Sequence, residues 1–308
     1  MDQIIGSVRI NEDDYPGRDL YSDGAVEDEL LEIARNENPS RFDIVCAERK
    51  SWPVMYHFSS VRQNIVSWYP FRKTDRVLEI GSGCGAVTPA LVRAAGSVTC
   101  VDLSKKRSLV NAYRNRNAGN LEIRLGNFED VEKKLPRDYD VITLIGVFEY
   151  GSSYIHSDQP YADFLRIVLG HLRPGGHLLI AIENRLGLKY FAGCREDHSG
   201  RFFDGIENYP ETKYAHTFSK PALVRLFRET GAADWTFYYP YPDYKLPMAV
   251  YSDGWLPKKG ELRNNLVNYD RQRMVLFDET RAWDALIGDG LFPLFSNSFL
   301  VDLTGGKA

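Results

Sequence analysis

The stretch Val77-Leu78-Glu79-Ile80-Gly81-Ser82-Gly83-Cys84-Gly85 constrains this chain most, because an apolar run passes through a carboxylate into three alternate glycines. Followed by Val87-Thr88-Pro89-Ala90-Leu91-Val92-Arg93, it predicts a strand, a tight turn and a helix N-terminus. Glycine admits positive φ and lets backbone N–H groups approach a ligand, while the start of a helix adds a partial positive charge. Such a turn suits a nucleotide-like ligand.

From Arg76 onward strand and helix patterns alternate, as in a parallel sheet covered on both faces. Strands are predicted at 76–80, 97–102, 121–125, 141–145 and 177–182, with later ones at 235–241 and 298–303. Helices are predicted at 87–95, 105–117, 161–172, 220–229 and 280–287, with a shorter segment at 128–134. The expected fold is a doubly wound, Rossmann-like α/β domain with a seven-stranded, mostly parallel sheet. Residues 1–55 read as a loose acidic arm with one amphipathic helix at 25–36, and Ser59 or Ser60 as the cap of a helix at 61–69. Residues 56–308 read as the main domain, interrupted by insertions at about 183–218 and 242–279, the first too long for a simple connection.

The 308 residues suffice for a full core, and the formal charge of −4 supplies no general basic field for nucleic acid or anionic membrane. No run approaches the roughly 18 apolar residues that span a bilayer, so a cytoplasmic protein is expected. Cys46, Cys84, Cys100 and Cys194 are scattered, without the spacing of a zinc site or a disulfide framework.

Gly81-x-Gly83-x-x-Ala86 also fits a relaxed dinucleotide pattern, and Asp102 suits a ribose hydroxyl in either case. Glu79 separates the two, since a carboxylate there repels pyrophosphate and suits a cationic amino-acid ligand. The chain here resembles the class I S-adenosylmethionine-dependent methyltransferases, whose first motif reads acidic-x-G-x-G-x-G, matched by Glu79, Gly81, Gly83 and Gly85. Leu172-Arg173-Pro174-Gly175-Gly176 looks like the family's turn before the fifth strand, and Gly126-Asn127-Phe128 its motif after the third. Asn127 stands where the family commonly has Asp, and Tyr150 replaces the histidine of a Glu-His pair after the fourth strand.

That resemblance implies S-adenosyl-L-methionine as cofactor. Glu79, with Gly81, Ser82 and Gly83 of the turn, would hold its methionine part, Asp102 and the adjacent Leu103 its ribose, Asn127 and the Phe128 N–H its adenine, and Ile145 would offer backbone. Upstream, Tyr56-x-x-Ser59-x-x-Arg62-x-Asn64 is similar to a segment in bacterial members that accompany surface-polysaccharide glycosyltransferases, which makes Tyr56 and Arg62 candidates, the guanidinium for the cofactor carboxylate. The segments 183–190 and 295–299 resemble the same subgroup.

Methyl transfer from a sulfonium needs donor and acceptor close, aligned and dry, and a hydroxyl acceptor is helped by a base. Glu149, His198 and His216 are the catalytic candidates, with His156 weaker, and the insertion at 183–218 is the expected acceptor lid. The expected acceptor is a small molecule or glycan, methylated at oxygen or nitrogen. RNA or protein methylation, and cofactor binding without catalysis, are the competing readings. Tyr209-x-x-x-Lys213 has the spacing of short-chain reductases, but Pro210 argues against the helix that spacing requires.

Overall fold

The computed structural model describes residues 2–19, 21–22, 24–265 and 271–305. The chain divides into two compact units, Met1–Ile145 with Gly170–Leu178, and Gly146–Leu169 with Leu179–Ala308. Among the described residues no helix is long and apolar enough to cross a membrane.

The first unit holds β1 (Gln3–Ile5), β2 (Val8–Asp14), β3 (Arg76–Ile80), β4 (Ser97–Asp102), β5 (Leu121–Gly126), β6 (Tyr139–Ile145) and the start of β7 (Leu172–Glu183), in the order β1-β2-β5-β4-β3-β6-β7. Pairing is parallel between β3 and β4, β3 and β6, β4 and β5, and β2 and β5, and antiparallel between β1 and β2. The chain goes from β3 to β4 on one side and to β6 on the other, so the strand order reverses beside β3. In open α/β sheets ligands bind at the carboxyl ends of the strands at such a point. Val77, Leu78, Ile80, Val98, Cys100, Val101, Val141, Ile142 and Leu144 are all buried. Burial at consecutive rather than alternate positions, as in β3 and β6, belongs to a sheet covered on both faces.

The N-terminal arm is ordered rather than loose. Val8 and Ile10 are buried, and β2 pairs in parallel with β5 through Arg9↔Glu122 and Ile10↔Ile123. Helices Val26–Asn36, Phe42–Arg49 and Trp52–Phe58 follow, the last two where no helix was expected. Their Leu30, Ile33, Phe42, Val45, Val54 and Phe58 form one core with Cys84 of the glycine turn and Val110 of helix Lys105–Arg114. Cys84 is therefore a packing residue, its thiol pushed up to about 11 by burial. The expected helix at 61–69 is a 3-10 helix, Ser60–Ile65, with Ser59 Oγ accepting from the Val61 N–H.

The second unit contains the end of β7, then β10 (Ser298–Thr304), β8 (Asp234–Tyr241) and β9 (Ala249–Ser252), with β8 antiparallel to both β10 and β9. Helix Lys220–Glu229 buries Leu223 and Phe227, and Phe227, Phe237 and Phe299 succeed one another at ring separations of 6.2 and 5.4 Å. Ser219 stands at its N-cap but makes no side-chain capping bond. Ten strands are described instead of seven, the additions being β1, β2 and β9. The β9 strand falls inside the expected insertion at 242–279, of which 266–270 lies outside the described residues. β7 also begins at Leu172, five residues early, taking in Pro174 and Gly175.

Candidate functional site

The carboxyl ends of β3, β4, β5 and β6 put Glu79, Asp102, Asn127 and Ile145 into register, since Glu79 pairs with Cys100, Asp102 with Leu125 and Ile80 with Leu144. Gly81, Gly83 and Gly85 all have positive φ, at 70°, 52° and 71°. A side chain at Gly85 would lie 2.2 Å from Asn111 Oδ1, so the turn is both strained and closely packed for any other residue. Asp102 ties the turn to the next strand. Its Oδ2 accepts from the Gly83 N–H at 2.7 Å and its Oδ1 from the Ser104 N–H at 2.9 Å. Burial raises the Asp102 carboxyl, against the pull of the Arg107 guanidinium and these two amides. Each oxygen retains acceptor capacity toward a hydroxyl. Leu103 is half-buried beside it.

Glu79 is buried, and its Oε2 accepts from Thr88 Oγ1 at 2.6 Å and Cys100 Sγ at 3.3 Å. Burial pushes its carboxyl up to about 7, with the Thr88 and Cys100 bonds acting in the opposite direction. A group poised there is ionised by an arriving cation. Asn127 begins the short helix Phe128–Val131, and its Oδ1 is a buried acceptor with no hydrogen-bond partner among the described residues. An adenine amino group would satisfy it. Phe128 is fully buried and Ile145 half-buried.

Arg62 is buried with its guanidinium carbon 4.3 Å from the centroid of the Tyr56 ring. Arg62, Arg107 and Arg114 all act on buried His57, whose basicity is lowered first by burial and then by these three cations. Arg114 is committed to the carbonyls of His57 and Phe58. Arg107 and Arg114, on helix Lys105–Arg114, were not among the cofactor candidates read from the sequence. An electropositive corner of this kind suits a carboxylate. The first unit thus holds two buried carboxylates, Glu79 and Asp102, an amide oxygen of Asn127 without a donor among the described residues, and the buried guanidinium groups of Arg62 and Arg114.

Glu149, His198 and His216 belong to the second unit. His198 Nε2 lies 3.6 Å from Glu149 Oε1, and its Nδ1 lies 2.9 Å from Glu196 Oε1. Although burial opposes it, the carboxylates of Glu183, Glu149 and Glu196 hold the His198 imidazole well above its ordinary basicity. Glu149 is raised by burial. His216 meets Glu149 through backbone alone, its N–H donating to the Glu149 carbonyl at 2.9 Å. Its ring packs among Tyr209, Phe218 and Tyr161, and burial lowers it to about 4. His156 is exposed, and Tyr209 and Lys213 lie outside any helix.

Glu183 and Glu196 were missed as members of this cluster. Glu183 could have been found, because it ends the apolar run 178–182 at the carboxyl end of a predicted strand. The segments 183–190 and 295–299 meet in the structure: Asn184 Nδ2 donates to the carbonyls of Leu294 and Ser296, and the Asn184 N–H to that of Asn297.

Residues 78–178 match a family model described as a methyltransferase domain. A ubiquinone biosynthesis O-methyltransferase of Xanthomonas euvesicatoria pv. vesicatoria is 28% identical over 111 residues, covering 36% of this chain and 44% of that protein. The mitochondrial counterpart of Schizosaccharomyces pombe is 32% identical over 117 residues, covering 36% and 38%. The chain therefore spans less than half the length of these curated relatives. A phosphoethanolamine N-methyltransferase of Haemonchus contortus, solved with phosphoethanolamine and S-adenosylhomocysteine, aligns with 90% of this chain and 50% of its own at a TM-score of 0.50 and 14% identity, a likeness of fold.

Proposed function

We propose that this chain, which carries a class I S-adenosylmethionine-dependent methyltransferase domain at residues 78–178, methylates a hydroxyl group of a small-molecule or glycan acceptor. The observation that supports the reading most is the pairing of Asp102 with the Gly83 N–H beside a buried, unsatisfied Asn127 Oδ1. These are the recognition groups a nucleoside needs, arranged at the carboxyl ends of adjacent parallel strands. The names of the curated relatives, which are O-methyltransferases, favour oxygen over nitrogen.

When bound, S-adenosylmethionine supplies an electrophilic methyl group. The chain's part is to hold the donor and exclude water. Glu79 orients the donor's amino group, Arg62 with Tyr56 its carboxylate, Gly81, Ser82 and Gly83 its backbone-facing edge, Asp102 and Leu103 its ribose, and Asn127 with the Phe128 N–H its adenine. Ile145 contributes backbone beside the methionine part. Glu149 and His198 are the groups proposed to face the acceptor hydroxyl, and His216, whose ring packs among Tyr209, Phe218 and Tyr161, is proposed to support Glu149 through its backbone N–H. The domain division proposed is an N-terminal extension, 1–55, on a methyltransferase domain, 56–308.

Binding of S-adenosylmethionine by calorimetry, followed by transfer of a labelled methyl group to phenolic, monosaccharide and oligosaccharide acceptors, tests the reading. Saturable binding with transfer to one hydroxylated class is expected. Binding with no transfer to any acceptor would support a non-catalytic role, and salt-sensitive transfer to RNA a nucleic-acid substrate. Absence of binding would overturn the proposal.

A further inference from the structure

Glu149, Glu183 and His198 each offer one ligand atom, and these atoms lie within 4.8 Å of one another. All three belong to the second unit, where Glu149 sits in the 3-10 turn Phe148–Tyr150 and Glu183 closes β7. Both carboxylates are buried, and Oε2 of each has no hydrogen-bond partner among the described residues. A buried carboxylate oxygen left without a donor is costly, so two of them in one small volume, beside an imidazole, ask for a ligand. Glu183 Oε1 is already used by Lys245 Nζ and by the Tyr244 hydroxyl at 3.3 Å, which leaves Oε2 as its open atom.

The imidazole is held as a metal ligand is held. Glu196 Oε1 contacts His198 Nδ1 at 2.9 Å, and Glu196 Oε2 accepts from the N–H groups of His198 and Ser199 at 2.7 and 2.6 Å. The Tyr209 hydroxyl donates to Glu196 Oε1 at 3.2 Å. A carboxylate fixed on Nδ1 orients the ring and leaves Nε2 to coordinate, the usual second layer of a metal-bound histidine. Nε2 points toward Glu149 at 3.6 Å, a separation too long for a good hydrogen bond. Ligands about 2.1 Å from one ion lie at most roughly 4.2 Å apart, so only a slight contraction is needed.

We propose that Glu149, Glu183 and His198 form a binding site for one divalent first-row cation. Two carboxylates and one imidazole suit Mn2+ or Zn2+. Three protein ligands leave coordination positions for water or for an oxygen of another molecule, which is where a hydroxylated acceptor would bind. Cation binding itself does not rest on the methyl-transfer reading, since it is measured with neither donor nor acceptor present.

The full chain, stripped with EDTA and dialysed, is titrated with MnCl2, following free Mn2+ by electron paramagnetic resonance. One saturable site per chain is expected, with a pulsed-resonance nitrogen coupling from the imidazole of His198. Glu183→Gln and His198→Ala should each abolish that site, while Glu196→Gln, which removes no proposed ligand but loosens the hold on the His198 ring and on the N–H groups of His198 and Ser199, should weaken it about 10- to 100-fold. Glu211→Gln, at an exposed carboxylate, should leave it unchanged. Circular dichroism reports whether each variant is folded, and the nitrogen coupling in the unaltered chain decides the matter if a variant is not. A folded chain that binds no Mn2+ stoichiometrically, or binds it without nitrogen coupling, overturns the site; the imidazole is then simply the counter-ion of the two carboxylates.

Discussion

Thr88 Oγ1 donates a 2.6 Å hydrogen bond to Glu79 Oε2, joining the start of helix Thr88–Ala94 to the end of β3 beneath the glycine turn. Asn111 Nδ2 donates in turn to Thr88 Oγ1 at 3.2 Å, so the only carboxylate of the turn is held from a second helix as well. The motif is thus a buried polar network as well as a glycine turn.

The Glu79 network predicts a pH dependence. Its carboxyl is raised from 4.5 to about 7 in the folded chain, first by burial. Between those values the folded state keeps a proton that the unfolded state has released, so stability falls as pH rises through the window and levels off above it. Glu79→Gln removes this contribution. The difference in unfolding free energy between the two proteins, measured in urea without cofactor, should shift in favour of the variant by roughly 3 kcal/mol from pH 4.5 to 7.5. A parallel pair of pH curves would show that Glu79 titrates normally.

Asp102 is expected to govern both turn geometry and ribose binding. Asp102→Asn leaves one oxygen for two backbone donors, so either the Gly83 or the Ser104 N–H faces an amide NH2. A lost bond to a charged acceptor is worth about 1.5–3 kcal/mol, and calorimetry should find S-adenosylmethionine binding weakened about 10- to 100-fold. Unchanged affinity would remove Asp102 from the site.

Gly85 tests the packing of the same network. An alanine Cβ at φ +71° would stand 2.2 Å from Asn111 Oδ1, and Asn111 Oδ1 also accepts from Asn115 Nδ2 at 2.8 Å. The side chain has no room to withdraw without releasing Thr88. Gly85→Ala should therefore destabilise the chain by at least about 2 kcal/mol in urea, more than strain at φ alone requires. Gly175→Ala is the control, since its φ is +70° with nothing within 4 Å.

What could be read from sequence follows from period and range. β3 and β4 were legible to the residue because short runs rich in β-branched and apolar residues, bounded by Gly and Asp, mark buried parallel strands. β2 was not, because only Val8 and Ile10 face inward in a segment otherwise rich in Asp and Glu, and its partner β5 lies more than 100 residues away. The cofactor candidates come from strand ends, which such patterns locate. Glu196 escaped because its bond to His198 depends on an irregular stretch, and the contact of Asn184 with 294–297 joins parts of the chain that share no local signal.

Asn127 gives the sharpest separation of acceptor from bulk. Its Oδ1 is buried without a donor, so removing the amide costs the free chain no hydrogen bond at that atom, and any loss on binding reports a bond made to the ligand. Asn127→Ala should leave urea stability within about 0.5 kcal/mol and weaken S-adenosylmethionine about tenfold. Asn127→Asp restores an acceptor and should recover most of that affinity. An inosine-type cofactor analogue, with a carbonyl in place of the exocyclic amine, should bind the unaltered chain weakly and show little further loss with Asn127→Ala. Equal losses for both ligands would place Asn127 away from the adenine edge.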